Sequence, residues 1–329
     1  TSLRVGLFLA IREIRRANIW TTMLIVFVMV ITFLNLVVIG GILVGLIEGS
    51  VAANKDRYTS DLIISPLREK TYIEKSQDII ALVKGLPQVE AVTARYIQGG
   101  KIEANYKTKI RETDITESAG SLISGIDPIA ENNVTGIGSK VVEGKYLEPN
   151  DFDQILIGSD LLFKYTPIDT PSFHTLENVE VGSKVRLVIG STRREVTVKG
   201  ILRSKVGEVD QRIFMVASQF RSLIGRTDYN VDEIAVKLKP HNTPEALKQI
   251  LVRAQVDKRA KVQTAEEAQP KFLNDIKLTF ALLGNVIGGI GLAVASITIF
   301  IVIFVNAITR RKFIGIMKGI GISATAIQF

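Results

Sequence analysis

From Ala17 to Ile47 the chain runs 31 residues without a charge, and from Leu278 to Thr309 it runs another 32. About 20 apolar residues, at 1.5 Å per residue, suffice to cross the hydrocarbon core of a bilayer. Both runs are therefore expected to be transmembrane helices, 17–47 and 278–309, each with a surplus that tilts or projects beyond the membrane as a stalk. The first is too long for the apolar region of a cleaved signal peptide. Before it, Leu3, Leu7, Ala10, Ile11 and Ile14 recur at helical spacing opposite Arg4, Arg12, Arg15 and Arg16. Residues 1–16 thus read as a cytoplasmic interfacial amphipathic helix or as a plain extension of the first span.

Residues 48–277 alternate shorter elements. Asp61–Ser65 reads as a strand, and Thr71 with Glu74 forms a capping box that opens a helix through Lys84. Val89–Ile97 reads as a second strand, Gly99-Gly100 as a tight hairpin turn, and Lys101–Arg111 as a half-buried strand facing Lys, Glu, Asn and Arg outward. A second strand–helix–strand unit follows late: Glu233–Leu238, a helix from Thr243-Pro244 to about Val256, then Lys261–Thr264. Two such units far apart in sequence suggest a split α+β layer. Between them Gln154–Ile157, Lys184–Ile189 and Arg194–Leu202 are strands, so about 140–206 is expected to be an inserted β-rich subdomain, with 163–180 a long loop. The fold class expected is an α-helical membrane protein whose two spans flank a bipartite α+β extracytoplasmic domain.

Composition refines the topology. The 329 residues carry 41 Lys+Arg against 33 Asp+Glu, a formal +8, with 47% apolar residues. A pI near 9.5 would suit a nucleic-acid partner, but the charge is unevenly placed. Residues 1–16 hold a net +3 and 310–329 a net +4, leaving +1 for the 230 residues between the spans. Both termini are therefore expected in the cytoplasm and the large domain outside, with the bilayer and not nucleic acid as the partner of the basic flanks.

Cysteine is absent, excluding disulfides, thiolate metal sites and cysteine nucleophiles. His174 and His241 do not make a metal motif, no phosphate-binding G-x-x-x-x-G-K-[ST] loop occurs, and Asp151 and Asp153 read as solvated turn residues. No ionisable residue lies in either span, which argues against a proton relay there. No catalytic, cofactor or metal residues are expected, and no enzymatic activity in this chain. Gly41 and Gly45, and Gly284 and Gly288, have the small-residue spacing of helix-packing faces.

After the second span comes Arg310, Arg311, Lys312, Phe313, Ile314, Gly315, Ile316, Met317, Lys318, Gly319, Ile320 and Gly321. Glycines at this spacing weaken a long signalling helix and suit a short one packed closely on a partner. Here the chain resembles the MacB-like permeases of ABC transporters, the group of macrolide exporters, lipoprotein-releasing permeases and the cell-division permease FtsX. Ile314-Gly315-Ile316-Met317-Lys318, Ile320-Gly321 and Ser323 match the motif that follows the second span there. Phe313 stands in place of the family's acidic residue and Gly319 in place of its alanine. Ser124–Pro128, Glu143–Lys145 and Val198–Leu202 extend the resemblance.

The resemblance implies a permease of the mechanotransmission type in the inner (plasma) membrane. Segment 310–329 would dock on a separate ATP-binding subunit, which alone would bind and hydrolyse ATP, through Arg310, Arg311, Lys312, Phe313, Ile314, Gly315, Met317, Lys318 and Gly319. A second permease copy or paralogue and a periplasmic membrane-fusion protein are the other partners implied. It also implies four spans, so the sequence is expected to continue with two more. The alternatives are a two-span transmembrane sensor, and an FtsX-like regulator of wall hydrolases that transports nothing.

Overall fold

A strand buried on both faces needs apolar residues at successive positions, and several strands here meet that condition. In Arg212–Val216 all five residues are buried; Ile213 and Met215 enter one apolar core and Phe214 another. Leu62 and Ile64 likewise divide from Ile63, and Ile155 and Ile157 from Leu156. One sheet therefore lies between two cores. The structure, a computed structural model, describes residues 47–320 except 108–116, 168–169, 171–173, 270 and 310, together with positions 23, 26, 27, 30, 31, 33, 34, 41 and 45. It divides into two units, Gly49–Pro270 and the flanking Thr1–Glu48 with Lys271–Phe329.

Among its described residues, Gly49–Pro270 contains ten strands: β1 Leu62–Pro66, β2 Val89–Ala104, β3 Glu117–Ile126, β4 Val141–Gly144, β5 Gln154–Gly158, β6 Lys184–Ile189, β7 Thr192–Leu202, β8 Arg212–Val216, β9 Glu233–Leu238 and β10 Ala260–Thr264. Its longer helices are α1 Ser76–Lys84, α2 Pro128–Thr135, α3 Ala217–Leu223 and α4 Pro244–Arg253. The strands run in the order β10-β1-β9-β2-β3-β8-β5-β7-β4, and β6 joins β2 to β7. That last pairing closes a ring, β2-β3-β8-β5-β7-β6, filled by Ile102, Ala119, Ile123, Val185, Leu187, Val196 and Val198. Beside the ring, β10, β1 and β9 continue from the first half of β2 as an open sheet. Ile79, Ile80 and Val83 of α1 and Leu247 and Leu251 of α4 join the larger core.

The residues expected to form a separate insertion, 140–206, do not close a sheet among themselves. Their strands β4–β7 complete a ring that also needs β2, β3 and β8. The parts share β2, which pairs with β9 over Val89–Arg95 and with β6 over Lys101–Glu103. β2 accordingly passes straight through Gly99-Gly100, where a hairpin turn was expected. At Gly100 the need is for closeness: an added Cβ would meet the Val188 carbonyl oxygen and Ile123 Cδ1, each at 2.8 Å. Glu103, expected to face solvent, is buried because β6 brings Arg186 to it, Nε to Oε2 at 2.8 Å.

The strands expected at 61–65, 154–157, 184–189, 194–202, 233–238 and 261–264 are present, and α4 starts on Pro244 as anticipated. The Thr71–Glu74 box is not. Glu74 pairs instead with Lys70 at 2.7 Å, and α1 begins at Ser76 after Lys75 adopts φ 50°. The base of the 163–180 loop is tied where Phe163 N donates to Leu176 O at 2.9 Å. Lys101–Arg111 is strand as far as Ala104, and its last residues lie outside the described ones.

In the flanking unit, α5 Lys271–Thr309 is a continuous 39-residue helix containing the second apolar run. Its Ala281–Ile301 segment is long and apolar enough to cross a membrane, the one such helix among the described residues. The described positions between 23 and 45 are helical, but most of the first expected span, and all of the interfacial segment 1–16, lie outside the described residues.

A close approach inside the outer unit gives a direct stability test. A Cβ at Gly125 would meet the buried Phe220 ring and its Cβ at 2.6–2.9 Å. Gly125→Ala should therefore destabilise the protein by about 1–3 kcal/mol, measured as a lowered urea midpoint, with Phe220→Leu recovering part of the loss.

Candidate functional site

The segment expected to contact an ATP-binding subunit forms α6, Arg311–Gly319. Arg311, Lys312, Gly315, Lys318 and Gly319 lie exposed along it, and Phe313, Ile314 and Met317 share the same helix. Arg310 and 321–329 lie outside the described residues. A Cβ built at Gly41, Gly45, Gly284, Gly315 or Gly319 meets no described atom within 4 Å. These glycines therefore leave open surface on their helices. Gly288 lies one turn from Gly284 on α5.

A second assembly, which the sequence reading missed, sits where the chain enters the outer unit. Residues 49–54 are helical and end in a π-helical turn, Lys55–Thr59; Ser60 then takes φ 56° to start β1. At this break Tyr58 and Thr59 are buried. Arg95, at 1% exposure, reaches across from β2 and binds both oxygens of Glu131 on α2, Nη2 to Oε1 at 2.7 Å and Nε to Oε2 at 3.0 Å. Its Nη2 also donates to the Tyr58 carbonyl oxygen at 2.7 Å, and Nη1 reaches Glu233 of β9 at 3.3 Å. The Tyr58 hydroxyl donates to Glu233, and the Tyr58 ring lies between the guanidinium carbons of Arg95 (4.4 Å) and Arg212 (4.7 Å).

Each charge in this cluster has an opposite charge within reach, as burial requires. Glu131 also accepts from Thr93 at 3.0 Å and Thr135 at 3.2 Å. Burial, then the negative charge of Glu233, pushes the Tyr58 hydroxyl far above its ordinary pKa, so the phenol stays protonated. Burial acts to lower the Arg95 pKa, but the charge of Glu131 and its hydrogen bonds reverse the sign and raise it. Tyr146, whose hydroxyl donates to Pro128 O, is raised by burial and then by Glu131 and Asp127. The cluster offers clamped charges. The trace it leaves in sequence is one arginine inside the otherwise uncharged 92–97 stretch.

The chain leaves the outer unit beside its point of entry. Leu62 of β1 lies opposite Thr264 of β10, and Ala265 N donates to Asp61 O at 3.2 Å. The exit is held at the surface: Glu267 pairs with Lys248 at 2.6 Å and accepts from Thr264 N at 3.1 Å.

No group of His, Asp and Glu able to hold a metal occurs among the described residues. Asp151 and Asp153, expected to be solvated, each hold a cation: Asp151 Lys199 at 2.6 Å, and Asp153 Arg194 through two bonds of 2.8 and 2.6 Å. A cleft of about 540 Å³ is lined by Tyr72, Ile97, Leu122, Arg226 and Asp232, but Asp232 neutralises Arg226 at 2.8 Å.

The two ends of the outer unit should differ sharply on mutation. Arg95→Met strands Glu131 in the core and should cost about 3–5 kcal/mol. Lys248→Met removes an exposed partner and should cost under about 1 kcal/mol. Urea unfolding of the two variants measures the contrast.

Comparison with known proteins bears on this architecture. Among solved structures, the extracellular domain of the noncanonical ABC-type transporter YknZ from Gram-positive bacteria aligns at TM-score 0.40 and 14% identity, covering 62% of this chain and 98% of that one. The periplasmic region of MacB from Actinobacillus actinomycetemcomitans aligns at TM-score 0.43 and 16% identity, covering 65% and 92%. No curated protein matches in sequence. The family described as the MacB-like periplasmic core domain matches residues 22–254, from within the first apolar run through α4. On that match, which spans most of its length, the chain belongs to the MacB-like periplasmic core domain family.

Proposed function

We propose that this chain is the permease subunit of an ABC transporter of the mechanotransmission type. Hydrolysis of ATP by a separate subunit would move the membrane helices, and these would reposition the extracytoplasmic domain to export or release a substrate. The family match over residues 22–254 carries the proposal. It is supported by the outer unit's connectivity: entry and exit occupy the paired strands β1 and β10. Displacement applied at this edge acts on a sheet hydrogen-bonded continuously to the ring.

In this reading the basic flanks hold both ends of the chain in the cytoplasm. α6 is the contact with the ATP-binding subunit: Arg311, Lys312 and Lys318 supply charge, and Gly315 and Gly319 let the partner's backbone approach closely. Gly41, Gly45, Gly284 and Gly288 would pack against a second permease copy or paralogue. A membrane-fusion protein would meet the outer domain on the far side of the bilayer. This chain itself performs no hydrolysis.

The test is co-purification with the ATP-binding subunit in detergent or nanodiscs. Gly315→Trp combined with Lys318→Glu should lower recovery of the complex, and its permease-dependent ATPase rate, by at least about tenfold, equivalent to 1.4 kcal/mol of contact. Unchanged docking and hydrolysis would overturn the assignment of α6.

A further inference from the structure

The two connections between the outer unit and the rest of the chain are built unequally. The entering connection ends in the break at Thr59–Ser60, where three kinds of contact hold Tyr58. Its carbonyl oxygen accepts from Arg95, its ring is flanked by two guanidiniums, and its hydroxyl donates to Glu233. The partners come from β2, β8 and β9, and Arg95 is itself held by Glu131 on α2. Moving Tyr58 would take a hydrogen-bond acceptor from the buried Arg95 guanidinium and a donor from the Glu233 carboxylate, where water has little access to replace them, and that is strongly resisted. The leaving connection, after Thr264, is held by the bond from Ala265 N to Asp61 O at 3.2 Å and by Ala268 against the smaller core, and the ion pair there, Glu267 with Lys248, has side chains 46% and 31% exposed instead of buried charge. Water replaces such a pair at little cost.

We infer that the Tyr58–Arg95–Glu131–Glu233 cluster is a rigid joint through which movement of the entering helix reaches the outer domain, while the leaving connection at 264–269 is the compliant one. Arg95 and Glu131 are then positioning residues: they touch no substrate and act by holding Tyr58. The inference rests on the permease reading, because a joint has this role only if motion is delivered to it.

The chain contains no cysteine, so spin labels can be attached at introduced cysteines without first replacing native ones. Label pairs Ala52→Cys with Gln98→Cys, and Glu266→Cys with Gln98→Cys, report the entering and leaving connections against β2. The sample is the full chain complexed with its ATP-binding subunit, with and without ATP and vanadate. The first pair should keep its distance and width through the cycle while the second shifts or broadens.

Tyr58→Leu, and separately Arg95→Met with Glu131→Leu, which replaces the buried pair by apolar groups, should broaden the first distribution at least twofold. Both should leave the second unchanged and the ATPase rate within twofold. A purely stabilising cluster would lower the unfolding midpoint in these variants without altering the first distribution. That result overturns the inference, as does an equal response of the two connections in the wild type, or no response in a complex whose ATPase depends on the permease. No response together with an ATPase indifferent to this chain would sink the permease reading instead.

Discussion

A guanidinium buried to 1% exposure cannot remain without an anion, and that requirement organises the outer unit. Arg95 holds Glu131, and thereby α2, against the sheet; it reaches Glu233 on the neighbouring strand, and it grips the main chain of Tyr58. The residues involved lie up to 175 positions apart in sequence. Their convergence needs β2 and β9 paired in one register, with Arg95 opposite Glu233. The smaller core, with Tyr58, Ile126 and Phe214, lies on the same side of the sheet. The entry of the chain, the seating of α2 and the β2–β9 register are consequently one problem with one solution.

The second constraint is that β2 serves two structures. Its first half belongs to the open sheet and its second to the closed ring. A strand shared in this way leaves no boundary across which an inserted domain could swing independently. Gly100 permits the sharing, since any side chain there would strike the β6 backbone. A displacement applied to the open sheet is therefore carried into the ring through continuous backbone hydrogen bonds.

Elements governed by short-range pattern were legible in the sequence. β5, β6, β7 and β9 alternate or run apolar, and α4 carries proline at its first turn, so local rules place them. Two errors occur where a distant partner outbids a local signal, and a third where a nearer charge does. Gly99-Gly100 reads as a turn until β6 is seen to pass beside it. Glu103 reads as a solvent-facing residue until Arg186 arrives. Thr71 and Glu74 have the spacing of a capping box, but Lys70 takes the glutamate and the helix starts later.

By itself the sequence determined what depends on composition and local order: two long uncharged runs, basic charge concentrated beside them, a nearly neutral mixed α/β segment between, and no cysteine. Those properties follow from transfer energies and short-range periodicity, which need no knowledge of the fold. Only the tertiary structure decided that β2 belongs both to the open part of the sheet and to the closed ring, that the chain enters and leaves the outer unit on adjacent strands, and that one lone arginine becomes its central clamp. Each is a juxtaposition of residues far apart in the chain. Burial and charge pairing operate on distances in space, and linear spacing does not record them.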